Sequence, residues 1–181
     1  MNHHDMTRNM VLAALFAALT AIGAFLQIPT GTVPITLQFL FTALAGLLLG
    51  WKWGAISQLL YVGIGLLGLP VFTQGGGIGY VLQPSFGFLL GLIPAAAVIG
   101  ALTARRTGYL TVLAAVLVGD LILYAVGVPY MYLILHVYMQ SAKTFPALLA
   151  AMLVYVPGDT LKIVVVAPVL RRTLAKAVPN L

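Results

Sequence analysis

The chain has 181 residues, of which 62% are hydrophobic and 7% charged, and its mean hydropathy is +1.10. A soluble domain carries about a quarter of its residues charged, so this composition excludes an ordinary soluble protein and points to an integral membrane protein. The net charge of +6 is spread over short turns rather than gathered on one face, which argues against a nucleic-acid partner, and the absence of cysteine excludes disulfides, thiol catalysis and thiolate metal sites.

Residues 1–9 are polar, and His3-His4 is too short a run to read as a metal site. Arg8 marks the aqueous entry to a first span over 10–26. That span has no small-residue cleavage site followed by a soluble chain, so it is expected to stay in the mature protein. Ala13, Ala17 and Ala21 recur every four residues, as do Ala14 and Ala18. Small residues at this spacing allow backbones to approach closely. The stripe serves either packing against a neighbouring span or docking of another membrane protein.

Pro29 to Thr36 reads as a loop from its prolines and glycine. A second span over 35–49 carries Thr36 and Gln38 near its start. Gly50-Trp51-Lys52-Trp53-Gly54 is a tight turn whose tryptophans suit the headgroup level, and a third span follows over 55–69. Residues 72–85 are conspicuous for Gln74-Gly75-Gly76-Gly77-Ile78-Gly79-Tyr80 and Gln83-Pro84-Ser85. Glycines at this density let backbone approach a ligand. The loop is not a phosphate loop, because no Gly-Lys-Ser/Thr follows. Irregular backbone beside a span is tolerated where it is buried in protein or faces water, which makes this loop a candidate lid.

A fourth span over 86–103 ends at Arg105-Arg106, and a fifth over 109–126 contains Asp120. Residues 128–156 are expected to form a loop with short interfacial helices. A sixth span over 157–174 opens on Pro157, since proline suits the first helical turn. A single kinked helix from Pro146 onward is the alternative. Six alternating spans place Arg8, Lys52, Arg105, Arg106, Arg171, Arg172 and Lys176 on one side and only Lys143 in a loop on the other. Basic residues favour the cytoplasmic side, so both termini are expected there, with the protein multi-pass in the plasma or inner membrane of a prokaryote.

There are only three acidic residues, Asp5, Asp120 and Asp159, and no glutamate. Charge within a span costs roughly 2.5 to 3.5 kcal/mol on insertion scales and marks a functional site by default. Asp159 and Lys162, three residues apart on one helix side, fall at the outward start of the sixth span, below the polar segments 32–38 and 74–85. A lysine opposes the helix dipole there, whereas a bound anion would suit it. Candidate ligand contacts are therefore Asp159, Lys162, Gln38, Thr36, Gly77, Tyr80 and Gln83. The expected architecture is all-α, with six transmembrane helices and irregular outward-facing loops capping a binding site. A membrane-embedded enzyme is the competing class, with Asp159, Lys162 and Asp120 as acid–base groups. Against it, His136 is the only histidine outside the terminus and no metal-ligand pair is apparent.

Five ordered motifs carry a resemblance that spans nearly the whole chain. They are Val33-Pro34-Ile35-Thr36-Leu37-Gln38, Ala45 to Gly50, Gly68-Leu69-Pro70-Val71-Phe72, the Gly75 to Gly79 loop with Pro84 to Gly91, and Pro157-Gly158-Asp159-Thr160-Leu161-Lys162. Together they resemble the BioY family of biotin transporters, the substrate-binding S components of energy-coupling factor transporters. The resemblance implies six helices, biotin bound near the outer surface, no cofactor, and work alongside a transmembrane coupling protein and two ATPases. It also implies that Asp159 and Lys162 take part in biotin binding and that the Ala13, Ala17, Ala21 face docks on the coupling protein. The chain has Pro84-Ser85-Phe86-Gly87-Phe88 where the family commonly has Pro-Thr-Gly-Gly-Tyr. An S component for a different vitamin is the alternative within the same class.

Overall fold

The computed structural model describes residues 3–29, 33–105, 108–152, 155 and 158–159. They form α1 (His3–Phe25), a two-stranded antiparallel pair β1 (Gln27–Ile28) and β2 (Ile35–Thr36), α2 (Gln38–Leu66), a 3-10 turn (Ile78–Leu82), α3 (Phe86–Thr103), α4 (Tyr109–Leu133) continued by a π-helical turn (Ile134–Tyr138), and α5 (Phe145–Met152). Four of these helical stretches are long and apolar enough to cross a bilayer. The expected sixth span, 157–174, lies almost wholly outside the described residues.

α2 is a hairpin. Gly50, with φ of 75° and ψ of 179°, leaves helical geometry in the middle of its run. Residues 23 positions apart in a straight helix would be roughly 34 Å apart, yet Gln38 Nε2 lies 2.8 Å from the Tyr61 hydroxyl. Only glycine adopts that positive φ without strain. The turn also sits against α3: a Cβ on Gly100 would stand 2.3 Å from the Trp51 backbone nitrogen.

The helices pack serially, α1 on α2, α2 on α3 and α3 on α4. The core joining them runs through Ala17, Phe39, Tyr61, Phe72, Leu89, Leu92, Ile99, Val112 and Val116. A fully buried polar belt ties α1 to both halves of α2. Gln58 Nε2 donates to Thr20 and Ser57, and Thr42 donates to Gln58 Oε1 at 2.9 Å. Buried polar atoms without such partners would each cost about 1–3 kcal/mol, so this belt fixes the register of three helical segments.

Several expectations are corrected. The first helix does not begin at residue 10, where the first span was expected to start, but at His3. The loop before α2 contains the β1–β2 pair, registering Gln27 with Thr36 and Ile28 with Ile35. α4 does not stop near Val126. It runs on through Pro129 to Leu133, because proline inside a membrane helix is tolerated when neighbours re-satisfy the backbone; Gly127 lies close against the Phe88 ring. The Ala13–Ala17–Ala21 face is not an outer docking surface. Ala13 and Ala17 are buried and Ala21 packs partly on the core, on the same side of α1 as Thr20, which meets Gln58. Ala14 and Ala18 are the exposed small residues of α1.

Candidate functional site

The two ends of the bundle differ. At one end the Gly50 turn meets Gly100, and Lys52 and Arg105 are exposed there. At the other end the β1–β2 pair, the segment 67–85 and Asp159 come together over a cavity of about 80 Å³. Its lining comes from β2 and its approach (Val33, Pro34, Ile35, Thr36), the start of α2 (Gln38, Phe39), the 67–85 segment (Thr73, Tyr80, Ser85), α3 (Phe88, Leu89, Leu92), α4 (Leu123, Tyr124), and Met152, Tyr155 and Asp159.

The polar groups are tied to one another. Tyr124 donates to Asp159 Oδ2 at 2.5 Å, and the Asp159 backbone N–H donates to the Tyr155 carbonyl, closing a helical turn. The Tyr155 hydroxyl donates to the Val33 carbonyl at 2.5 Å and so joins the last described segment to the loop before β2. Tyr80 is buried, with its hydroxyl 2.9 Å from Thr73 Oγ1 and 3.4 Å from Ser85 Oγ. Gln38 lies between Thr36 and Tyr61.

Aromatic rings hold the 67–85 segment in place. Phe72 stands between Tyr61, at 5.5 Å, and Tyr80, at 4.6 Å, and Tyr80 leads on to Phe86 and Tyr130. The Tyr130 hydroxyl donates to the Val81 carbonyl, and Gln27 Nε2 donates to the Thr73 carbonyl. The segment is thus bonded to α4 on one side and to β1 on the other.

Of the residues singled out from sequence, Asp159, Gln38, Thr36 and Tyr80 share this cavity. Lys162 lies outside the described residues. Gly77 and Gln83 do not line it. Gly77 has φ of 96° and turns its N–H back to the Gly65 carbonyl at 2.7 Å, while Gln83 is exposed. Tyr124, Phe88, Tyr155 and Ser85 line the cavity too but were not among the candidate contacts, although Ser85 and Phe88 fall in stretches conspicuous in the sequence. For Tyr124 the signal was its place four residues after Asp120 and so on the same face of α4.

Asp120 lines a neighbouring groove of about 440 Å³ with Leu117, Leu121, Ala125, Val128, Pro129, Phe145 and Leu149; Tyr124 and Met152 border both spaces. His136 is exposed and stacked on Tyr132. Among the described residues no group of three His, Cys, Asp or Glu side chains could hold a metal ion. The cavity pairs apolar walls from α3 and α4 with a few convergent polar groups, the usual construction of a small-molecule site.

Comparison with known proteins bears on this site. A sequence model of the BioY family matches residues 1–180. The "Probable biotin transporter BioY" of Lysinibacillus sphaericus is 54% identical over 141 residues, covering 77% of this chain and 72% of the relative. The "Biotin transporter BioY" of Rhodobacter capsulatus is 40% identical over 185 residues, covering 97% of each chain. Among solved structures, the S-component for biotin from an ECF-type ABC transporter superposes with a TM-score of 0.83 at 30% identity, over 96% of this chain and 94% of the other.

Proposed function

This chain belongs to the BioY family, and from that premise we propose that it is the biotin-binding subunit of an energy-coupling factor uptake transporter. The observation that carries the reading is the cavity at the β1–β2 end, where Asp159, Gln38 and Thr36 face the rings and aliphatic side chains of α3 and α4. Biotin has a polar ureido head, an apolar ring and chain, and a carboxylate tail. Asp159 and the Gln38 amide suit the ureido group, and Phe88, Leu89, Leu92 and Leu123 suit the apolar body. Lys162, in the matching family motif, is the proposed counter-charge for an anion.

Exposed Lys52 and Arg105 at the opposite end support an orientation with that end cytoplasmic and the cavity outward. In this reading α1, the two halves of α2, α3, α4 and 157–174 make six spans in the plasma or inner membrane of a prokaryote, with both termini cytoplasmic. ATP hydrolysis belongs to two partner ATPases, since the sequence holds no Walker-type phosphate loop, and the chain itself performs no chemistry. A transmembrane coupling protein docks on the subunit and turns it to release biotin inward. The exposed Ala14 and Ala18 of α1, rather than the buried Ala13 and Ala17, are the small residues that would admit that partner closely.

Isothermal calorimetry on the purified full chain in detergent tests the reading against a panel of biotin, thiamine and riboflavin. Biotin is expected to bind at nanomolar concentration and the others not at all. Binding of another vitamin in place of biotin would reassign the substrate, and binding of none would overturn the reading.

A further inference from the structure

The polar wall of the cavity is a chain of hydrogen bonds whose direction is fixed from outside the cavity. It begins at Val71. A carbonyl has no hydrogen to give, so the Tyr61 hydroxyl, 3.0 Å away, donates to the Val71 oxygen. A phenol has one hydrogen, and with that hydrogen committed the Tyr61 oxygen can only accept. Its other neighbour, 2.8 Å away, must then be the amide nitrogen of Gln38. This places Gln38 Oε1 on the opposite side of the amide, where the Thr36 hydroxyl donates to it at 2.9 Å. Thr36 Oγ1 in turn accepts the Gln38 backbone N–H at 3.3 Å. Each bond determines the next.

Tyr61 is 1% exposed and does not line the cavity, whereas Gln38 does. The Tyr61 ring is held edge-to-face on Phe72. Of the two groups bonded to its hydroxyl, only Gln38 lines the cavity, so the polar influence of Tyr61 on a ligand passes through Gln38. A primary amide offers two N–H donors and two acceptor positions on its oxygen. With one of each used by Tyr61 and Thr36, Gln38 keeps one N–H and one acceptor position for a ligand. A flipped amide would exchange them.

We infer that Tyr61 is a positioning residue that sets the orientation of the Gln38 amide, making Gln38 selective for a ligand with a carbonyl and an N–H side by side. The inference rests on the biotin reading above, since a ureido head is such a group.

The test is a double-mutant cycle on biotin affinity, measured by calorimetry on the full chain with Tyr61→Phe, Gln38→Ala and both together. A net hydrogen bond of ordinary strength corresponds to each single variant weakening binding by about five- to twentyfold. The double variant is expected to bind within about twofold of Gln38→Ala alone, because residues that act as one unit are not additive. A purely structural role for Tyr61 would lower the melting temperature yet give multiplying losses of affinity, and that outcome would overturn the inference, as would a Tyr61→Phe variant that binds like the wild type. Gln38→Glu provides a second route that leaves Tyr61 in place. Glutamate has no N–H for Tyr61 or for the ligand, so it should bind biotin no better than Gln38→Ala; wild-type affinity would overturn the inference. If the wild type itself binds no biotin, the functional reading falls and takes this one with it. Wild-type binding with additive losses sinks this one alone.

Discussion

Tyr124→Phe isolates one bond in the cavity wall. The substitution removes the hydroxyl that donates to Asp159 Oδ2 and keeps the ring, which stands edge-on to Phe88 with centroids 6.0 Å apart. A hydrogen bond to a charged group contributes about 1.5–3 kcal/mol. Both partners here are half-buried, so water partly replaces the lost donor and the lower end of that range applies. At about 1.5 kcal/mol the carboxylate loses its fixed orientation and biotin affinity falls roughly tenfold. The loss should appear mainly in the dissociation rate, as is usual within one interface. Calorimetry gives the affinity and a chase with unlabelled biotin gives the release rate. Asp159→Asn is the companion variant and should weaken binding at least as much. If Asp159→Asn is impaired while Tyr124→Phe binds within twofold of wild type, Tyr124 does not orient the carboxylate. If both bind normally, the polar wall has been assigned to the wrong residues.

Lys162→Ala is expected to weaken biotin binding well over tenfold with the melting temperature little changed, and calorimetry paired with a thermal melt checks both parts. Gly100→Ala should destabilise the protein by about 1–3 kcal/mol, read as a lower melting temperature in detergent, because its Cβ would press on the Trp51 backbone and not on a side chain that can yield. Tyr155→Phe should speed biotin exchange in a stopped-flow displacement assay, since it removes the bond from Tyr155 to the Val33 carbonyl that holds the loop over the cavity. Unchanged association and release rates would show that this bond does not restrain the loop.

The helical membrane class was legible because composition alone settles it, and the turn residues around Gly50 marked a reversal that the bond from Gln38 to Tyr61 makes unmistakable. Within the site, Asp159 and Gln38 stood out because polar side chains are scarce in this chain and each needs a reason. Tyr124, Tyr155 and Phe88 did not, because aromatic residues are common in membrane helices and periodicity does not say which face meets a cavity. Gly77 misled for a related reason: a glycine-rich loop signals unusual backbone, but the direction of its N–H, here toward Gly65, depends on tertiary packing. The alanine stripe failed differently. Two stripes of alanine lie on α1, and only the position of Gln58 opposite Thr20 decides which one turns inward.

The size of the cavity constrains how any ligand enters. At about 80 Å³ it is well below the roughly 300–1,000 Å³ of drug-sized ligand sites, so binding has to enlarge it. Its walls are not equally able to give. Phe39, Leu89, Leu92 and Leu123 belong to the packed core between α2, α3 and α4, where moving one helix disturbs the next. Tyr80 is buried and tied through Thr73, Ser85 and its ring neighbours. The side formed by Val33, Pro34 and Ile35 belongs to a separate, smaller cluster, in which Val33 packs with Val128, Met131, Leu148 and Met152, and it is joined to its neighbours by the pairing of β1 with β2 and the bond from Tyr155. Displacing that side disturbs this smaller cluster rather than the main core that holds Phe39 and Tyr61. The part of the polar wall formed by Gln38, Tyr61 and Val71 can therefore be set before the ligand arrives, while the loop that leads into Thr36 adjusts to the ligand's bulk. Selectivity and access then reside on different elements of the fold, so a substitution that loosens the loop should change the rate of exchange without changing which ligand is preferred.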